Sequence, residues 1–143
     1  MLVSEIMNTD IKTIKSSSTV RAAAIMMNKH RIGGLLVTKK NGLEGIITER
    51  DIMKNIVAQA KDSSKVLVKD IMRTELVVIE EDRTIEDAAK IMLEAGVKKL
   101  PVVKDKALVG IITSTDILAA QPKQIEIMSK ILVFPKEKRP VAG

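Results

Sequence analysis

The sequence has 143 residues, of which 45 % are apolar and 29 % charged, a composition typical of folded globular domains. It contains no cysteine, which excludes disulfides, thiolate metal sites and a cysteine nucleophile. No apolar run approaches the roughly 20 residues of a membrane span, and the first ten residues show no secretory signal. We therefore expect a cytoplasmic protein without membrane contact.

The net charge of +6 raises the question of nucleic-acid binding. Residues 119–143 carry five basic and two acidic residues, so half of the positive excess lies in the C-terminal tail. Basic charge supports binding to phosphates without sequence specificity, but base stacking needs aromatic side chains, and Phe134 is the only aromatic residue. Association with nucleic acid therefore stays an alternative and is not the main interpretation.

The sequence contains an internal repeat with an offset of 65 positions. The heptad GIITERD starts at Gly45, and the related heptad GIITSTD starts at Gly110. Residues 3–52 align with residues 68–117 without a gap. We infer two copies of one unit of about 50 residues, which is too short to bury a full core alone. Two such copies are expected to pack against each other around a pseudo-twofold axis.

The sequence of the first copy predicts a strand, a helix, a hairpin and a second helix. Thr19 is the expected N-cap of a helix over residues 20–31, whose apolar residues recur at helical spacing. The run from Leu35 to Val37 predicts a strand, and Asn41-Gly42 predicts the turn of a hairpin. The next strand is expected over Leu43–Ile47 and the second helix over about 49–60.

The second copy repeats this order. Thr84 begins a capping box with Asp87, the helix is expected over 85–95, and Gly96 is expected to end it. Strands follow over residues 100–103 and Leu108–Ile112, with a turn at 104–106 and a helix over 114–120. We predict a mixed α/β (α+β) fold with domains at 1–62 and 63–121 and a tail at 122–143. The tail contains an expected helix over Lys123–Val133 and a basic end, Pro135–Gly143, which is either frayed or docks on a partner.

The two heptads allow two interpretations. Thr48 with Asp51, and Thr113 with Asp116, fit the capping box at the start of a helix, which requires no ligand. Each heptad, however, also places Gly-Ile-Ile before the threonine, so that a strand delivers the helix start to one end of a sheet. Gly45 in the strand leaves room for the close approach of another group. A carboxylate in the first turn can accept hydrogen bonds from both hydroxyls of a ribose, so a nucleotide suits this geometry.

The sequence resembles a tandem pair of CBS domains (cystathionine β-synthase domains), together called a Bateman module. The resemblance covers residues 2–120 and is carried by the two heptads, by Ser4–Met7 and Lys69–Met72, and by Gly96–Val103. It implies two β-α-β-β-α units that pack through their sheets and form clefts that bind AMP, ADP, ATP or S-adenosylmethionine. It also implies a regulatory module that is not an enzyme, and a disk-shaped homodimer.

The resemblance also implies roles for individual residues. The closing aspartates would contact ribose, the threonines three positions earlier ribose or phosphate, and the strand isoleucines would flank the base. One cleft would combine Asp116, Thr113 and Ile111 with Lys12, Ile32 and Gly33 of the first copy. The other would combine Asp51, Thr48 and Ile46 with Val77, Val97 and Lys98 of the second copy. Lys99 and Arg50 would face phosphate, although both also fit solvated surface charge.

The two copies differ at the expected clefts, since Lys98-Lys99 replaces Gly33-Gly34 and Thr115 replaces Arg50. We therefore expect unequal affinities. The lone His30 indicates no metal site, and the helical methionines indicate core packing or dimer contacts.

Our interpretation is a non-catalytic sensor that binds an adenine nucleotide or S-adenosylmethionine as its regulatory ligand, requires no cofactor and acts on an effector protein. The alternatives are a dimerisation module without a ligand and a basic protein associated with nucleic acid. The sequence does not select among the adenine ligands.

Overall fold

The computed structural model describes residues 1–40, 42–120 and 125–132. These residues form two compact units. Unit A comprises residues 1–11 and the chain from Val77 onward, and unit B comprises Lys12–Leu76. Each unit contains one copy of the β-α-β-β-α order, which confirms the expected mixed α/β fold. The packing of the two copies through their sheets and the pseudo-twofold axis stay predictions.

Unit B contains the first copy. Its strands are β1 (Thr13–Lys15), β2 (Gly34–Lys39) and β3 (Gly42–Thr48), with β2 parallel to β1 and antiparallel to β3. The described helices of this unit are α2 (Val20–His30), α3 (Glu49–Ile52), which continues as a π-helix over Met53–Val57, and α4 (Val68–Ile71).

Unit A contains the second copy. Its strands are β4 (Ile79–Glu80), β5 (Lys99–Lys104) and β6 (Ala107–Thr113), with the same pairing pattern. The described helices of this unit are α1 (Val3–Ile6), α5 (Ile85–Ala95), α6 (Ser114–Ala120) and α7 (Ile125–Leu132).

The compact units divide the chain differently from the repeats. The first eleven residues, which open the first copy, pack with the second copy in unit A. The segment with α4, which opens the second copy, packs with the first copy in unit B. The segment that opens each copy in the sequence therefore packs in the unit that contains the rest of the other copy. We call these two segments exchanged. Val3 and Val68, at equivalent positions of the two segments, are both fully buried in these exchanged positions.

The local sequence signals of the main helices are confirmed. The hydroxyl oxygens of Thr19 and Thr84 accept hydrogen bonds from backbone amides of the first helical turn, each at 3.1 Å. Gly96 ends α5 in the left-handed conformation, with φ of +69°, as expected. The repeated helical positions carry the two cores: the residues fully buried or nearly so are Val20, Ala23 and Met27 in α2 and Ile85, Ala88 and Met92 in α5.

Three predicted elements differ in extent from the structure or lie partly outside it. The helix expected over about 49–60 ends at Val57, and its second half is a π-helix. Asn41 of the predicted hairpin turn lies outside the described residues, as do residues 121–124 and 133–143 of the tail. The tail helix is described over Ile125–Leu132 and packs on α5 and α6, with Ile131 fully buried. No helix among the described residues is long and apolar enough to cross a membrane.

The glycine of each heptad lies against the exchanged segment of its own unit. A Cβ atom on Gly45 would lie 2.7 Å from the backbone oxygen of Arg73 and 2.8 Å from Sδ of Met72. A Cβ atom on Gly110 would lie 2.5 Å from Sδ of Met7. The close approach expected at these glycines is present, and the approaching group is the protein itself. A backbone bridge between Arg73 and Ile46 secures this contact in unit B.

We predict that Gly45→Ala lowers the free energy of unfolding by about 1–3 kcal/mol, because the added methyl group must displace backbone. Urea denaturation followed by circular dichroism measures this change. Gly42→Ala is the matched control in the same strand, since its Cβ atom would lie 3.4 Å from the nearest atom, an ordinary contact. Equal losses in the two variants would contradict the close-packing argument.

Candidate functional site

The first heptad forms a complete capping box at the junction of β3 and α3. The backbone amide of Thr48 donates to Oδ2 of Asp51 at 2.9 Å, and the Asp51 amide donates to Oγ1 of Thr48 at 3.2 Å. The Thr48 hydroxyl also lies 2.9 Å from the same carboxylate oxygen. Asp51 is 9 % exposed. The helix-cap interpretation of this heptad is therefore confirmed.

The second oxygen of the Asp51 carboxylate is also engaged. Nε of Arg73 lies 3.5 Å from Oδ1 of Asp51. Arg73 is held there because its backbone forms two hydrogen bonds with Ile46 in β3, each 2.9 Å long. Both carboxylate oxygens of Asp51 therefore have partners within unit B. A ribose hydroxyl would therefore compete with the guanidinium group for this oxygen.

The second heptad forms a similar cap but leaves its carboxylate more open. The Thr113 amide donates to Oδ2 of Asp116 at 2.9 Å, and the Asp116 amide donates to Oγ1 of Thr113 at 3.1 Å. Within the described part of the chain, Oδ1 of Asp116 has no hydrogen bond or ion pair. The side chain is half-buried. Asp116 thus combines a fixed position with a free acceptor oxygen.

A single residue explains this difference between the two caps. Asn8 occupies the position of Arg73 in the other copy, 65 residues earlier, and forms the equivalent backbone bridge, here with Ile111 in β6. The amide oxygen of Asn8 accepts a hydrogen bond from the backbone of Asp10. The short Asn8 side chain carries no charge that could pair with a carboxylate. Spacing within the heptads gives no sign of this pair, although the repeat alignment, which sets Asn8 against Arg73, could have revealed it.

Within unit A, the two lysines of the second copy lie beside the Asp116 cap. The Ser114 amide donates to the backbone oxygen of Lys98 at 2.9 Å, and Lys99 pairs in register with Thr113. Both lysine side chains are exposed. The end of this sheet therefore offers a carboxylate acceptor and two cationic groups, with Val97 half-buried between the helix α5 and the lysines.

Within unit B, the equivalent position lacks the two lysines and borders a groove. Gly33 and Gly34 take the place of the lysines, and the Glu49 amide donates to the backbone oxygen of Gly33 at 3.0 Å. A groove of about 410 Å³ opens here between α2 and α3. It is lined mainly by apolar residues: Ala24, Met27, Ile32, Ile52, Met53 and Val57.

The remaining predicted site residues are surface or half-buried positions. Lys12, Ile46 and Ile111 are half-buried, and both isoleucines have their backbone groups engaged by the exchanged segments. Arg50 and Val77 are exposed. The pairing of Asp116 with residues of the first copy, and of Asp51 with residues of the second, stays a prediction. Among the described residues, no group of three His, Asp or Glu side chains could hold a metal ion.

Helix α5 begins with a similar cap for which we predict no ligand, so this cap serves as a reference for the two heptads. Its Thr84 hydroxyl accepts from the Asp87 amide, but the Asp87 carboxylate binds Nε of Arg83 at 3.0 Å. This hydrogen bond to the guanidinium group lowers the pKa of Asp87. The carboxylate of this cap therefore binds a guanidinium group, as the Asp51 carboxylate does, whereas that of Asp116 has no such partner among the described residues.

We predict that Asp51→Ala destabilises the protein more than Asp116→Ala, by up to about 1 kcal/mol, because only Asp51 also loses an ion pair, with the half-exposed Arg73. Both variants lose a cap, which costs about 1 kcal/mol. Urea unfolding of Asp51→Ala and Asp116→Ala, measured with and without the added substitution Arg73→Ala, tests this prediction. Arg73→Ala should have no effect beside Asp51→Ala, and a loss of equal size in both backgrounds would contradict the pairing.

Comparison with solved structures supports the fold of this chain. A conserved CBS domain protein of unknown function from Thermoplasma acidophilum shares 31 % identity with a TM-score of 0.75, covering 92 % of this chain and 74 % of that one. A hexameric CBS-CP12 protein from bloom-forming cyanobacteria shares 29 % identity with a TM-score of 0.68, covering 88 % and 73 %. Structural relatives of this chain therefore include oligomers.

Sequence comparison identifies the same family. An uncharacterized protein of Methanopyrus kandleri is 37 % identical over 122 residues, which are 84 % of this chain and 62 % of that protein. The chain thus spans less than two thirds of the length of this relative. The family model for the CBS domain matches residues 3–58 and 68–123, one match for each copy of the repeat. The chain therefore belongs to the CBS domain family and contains a tandem pair of these domains.

Proposed function

We propose that this chain is a non-catalytic regulatory module that binds an adenine nucleotide or S-adenosylmethionine at the Asp116 cap. CBS-domain pairs are commonly regulatory, which supports the general role. The observation that carries the specific proposal is the difference between the two equivalent aspartates. Asp116 is fixed by its cap and keeps Oδ1 free among the described residues, whereas both oxygens of Asp51 have partners.

The chemistry at the end of this sheet suits the ribose and phosphate of a nucleotide. A carboxylate oxygen accepts a hydrogen bond from a ribose hydroxyl, and charge-assisted bonds of this kind are the strong ones. The backbones of Lys98 and Lys99 lie beside the same cap, and their exposed ammonium groups would supply positive charge for a phosphate. This proposal assigns Lys98 to the Asp116 cap, whereas the family resemblance implied it for the Asp51 cleft. Half-buried Ile111 offers an apolar surface for the adenine. The proposal therefore assigns one strong site to the Asp116 cap and a weak or closed one to the Asp51 cap.

Binding at this cap can regulate only if the ligand prefers one conformation of the protein over another. A ligand that binds the folded chain also stabilises it by mass action. The output would reach a separate effector protein or change the self-association of the chain.

We predict that AMP, ADP, ATP or S-adenosylmethionine raises the melting temperature of the wild type by roughly 5–10 °C at a hundred times its dissociation constant. Differential scanning fluorimetry with each ligand measures the shift. Asp116→Ala should abolish it, because the ribose acceptor is lost, whereas Asp51→Ala should retain it. Equal shifts in the wild type and in Asp116→Ala would rule out the proposed ribose contact. No shift with any of the four ligands would favour the dimerisation module without a ligand.

The pair Asn8 and Arg73 allows a sharper test of the same proposal. Asn8→Arg should weaken binding at the Asp116 cap, because it places a guanidinium group where the ion pair forms in the other copy. Arg73→Asn should open the Asp51 cap and add a second binding event. Isothermal titration calorimetry counts the events in both variants. Undiminished binding in Asn8→Arg, or no second event in Arg73→Asn, would contradict the assignment.

We also propose that the chain self-associates through the groove of unit B. Large apolar side chains are unusually exposed there: Met53 is 64 % exposed and Val57 70 %. Ile25 on α2 is also 51 % exposed. Ile25 does not line the groove, but Met53 and Val57 do, and exposed apolar residues that share one patch commonly form interfaces. The hexameric relative supports association between copies of this chain, and we expect a homodimer.

We predict that Met53→Glu with Val57→Glu reduces the assembly to a smaller species in light scattering coupled to size exclusion, because charges would enter an apolar contact. Lys61→Glu is the control, since it changes the net charge by the same two units at an exposed position of the same unit. An unchanged mass of the double variant would exclude this surface from the interface. The same reduction in Lys61→Glu would indicate a general effect of charge.

A further inference from the structure

A second cavity of unit B, of about 460 Å³, lies away from the caps. It is lined by three lysines and three hydroxyl residues: Lys15, Ser16, Ser17, Thr38, Lys39 and Lys40. No acidic residue is among these described lining residues. Its volume lies within the range of about 300–1,000 Å³ that is typical of small-molecule sites. Every lining side chain ends in an ammonium or hydroxyl group, so a charged, hydrophilic ligand is expected.

The register of the sheet explains why these residues meet and why the cavity is separate from the Asp51 cap. The parallel pairing of β1 and β2 places Lys15 beside Thr38, so the C-terminal ends of both strands lie at the same end of the sheet, which we call the basic edge. At the opposite end of β2, Gly34 pairs with Thr48 of the capping box. The strand rises about 3.3 Å per residue, which separates Gly34 from Lys39 by roughly 16 Å.

The groups that line the cavity are available to a ligand. Lys15, Lys39 and Lys40 are exposed, and within the described part of the chain none of them forms an ion pair. Ser16 is only 6 % exposed, and its hydroxyl has no hydrogen-bond partner among the same residues. This hydroxyl keeps contact with solvent in the cavity, so it is free to donate to a bound group. Like-charged lysines around one concavity are also unfavourable until an anion joins them.

The other copy carries the opposite charge at the equivalent edge. Glu80, Glu81 and Asp82 replace Lys15, Ser16 and Ser17, and Asp105 replaces Lys40. Lys104, the counterpart of Lys39, binds Glu81 at 3.4 Å. The fold of the unit therefore does not require a basic edge, because the same strands form with an acidic one. The three lysines are therefore a property of the first copy and not of the fold.

We propose that this cavity is a second binding site, for a small polyvalent phosphate, and that it does not depend on the proposed adenine site. The ammonium groups are compact point charges that suit a diphosphate or triphosphate, and the Ser16 and Thr38 hydroxyls can donate to its oxygens. Free pyrophosphate and the phosphate tail of a nucleotide share this chemistry. The limited volume and the buried serine favour such a group over the extended backbone of a nucleic acid.

Isothermal titration calorimetry of the full chain with pyrophosphate at low ionic strength tests this site. The wild type should bind, and Lys39→Gln with Lys40→Gln should weaken binding at least about tenfold, because charged hydrogen bonds are lost. The control is Lys104→Gln with Lys106→Gln, which removes the same charge from the other copy and should bind as the wild type does. All four positions are exposed, and thermal melts confirm that the variants fold.

Several results would overturn this site. The first is that the wild type does not bind pyrophosphate. The second is that the two double variants weaken pyrophosphate binding equally. The third is that Asp116→Ala loses pyrophosphate binding. Binding of a single-stranded oligonucleotide without binding of pyrophosphate would also overturn it, in favour of a nucleic-acid surface. Competition by ATP that persists in Asp116→Ala would identify a nucleotide tail as the occupant, and absence of competition would identify the free anion; both results support the site.

Discussion

The contact between each heptad glycine and the segment exchanged from the other repeat organises both units. At Gly45 the backbone oxygen of Arg73 lies so close that a Cβ atom would overlap it, and at Gly110 the side chain of Met7 occupies the equivalent space. Paired backbone hydrogen bonds then attach each segment to the central part of strand β3 or β6. This contact defines which parts of the chain form a unit, because it joins residues 1–11 to the second copy and the segment with α4 to the first.

The same contact sets the chemistry of the two caps. In each exchanged segment, the residue that follows the short helix and its methionine forms a backbone bridge with an isoleucine of the heptad strand. In unit B this residue is Arg73, which pairs with Asp51, and in unit A it is Asn8, which has no charge to offer. Two heptads with nearly the same sequence therefore present one neutralised and one open carboxylate. The proposed sensor function depends on that difference.

Duplication has kept the core and changed the edges. The apolar helix positions of the two copies match residue for residue, because each buries its side chains against a sheet of the same pattern. Residues at the ends of the strands are free of that constraint, since they lie at the surface. At these positions Gly33-Gly34 of the first copy corresponds to Lys98-Lys99 of the second. Lys15 and Lys40 of the basic cavity likewise correspond to acidic residues in the second copy. Differences in function between the copies are expected to arise at these edges.

The sequence by itself determined the repeat, the element order, the helix caps at Thr19 and Thr84, and the two capping boxes, because these depend on local spacing and on apolar periodicity. Tertiary structure decided the rest. No local signal shows that Arg73 reaches Asp51, since 22 residues separate them and the exchanged segment brings them together. The cavity at Lys15 likewise depends on the parallel register of β1 and β2, which joins residues more than 20 positions apart. Contacts between distant segments depend on how those segments pack, so they cannot be predicted from residue spacing within one segment.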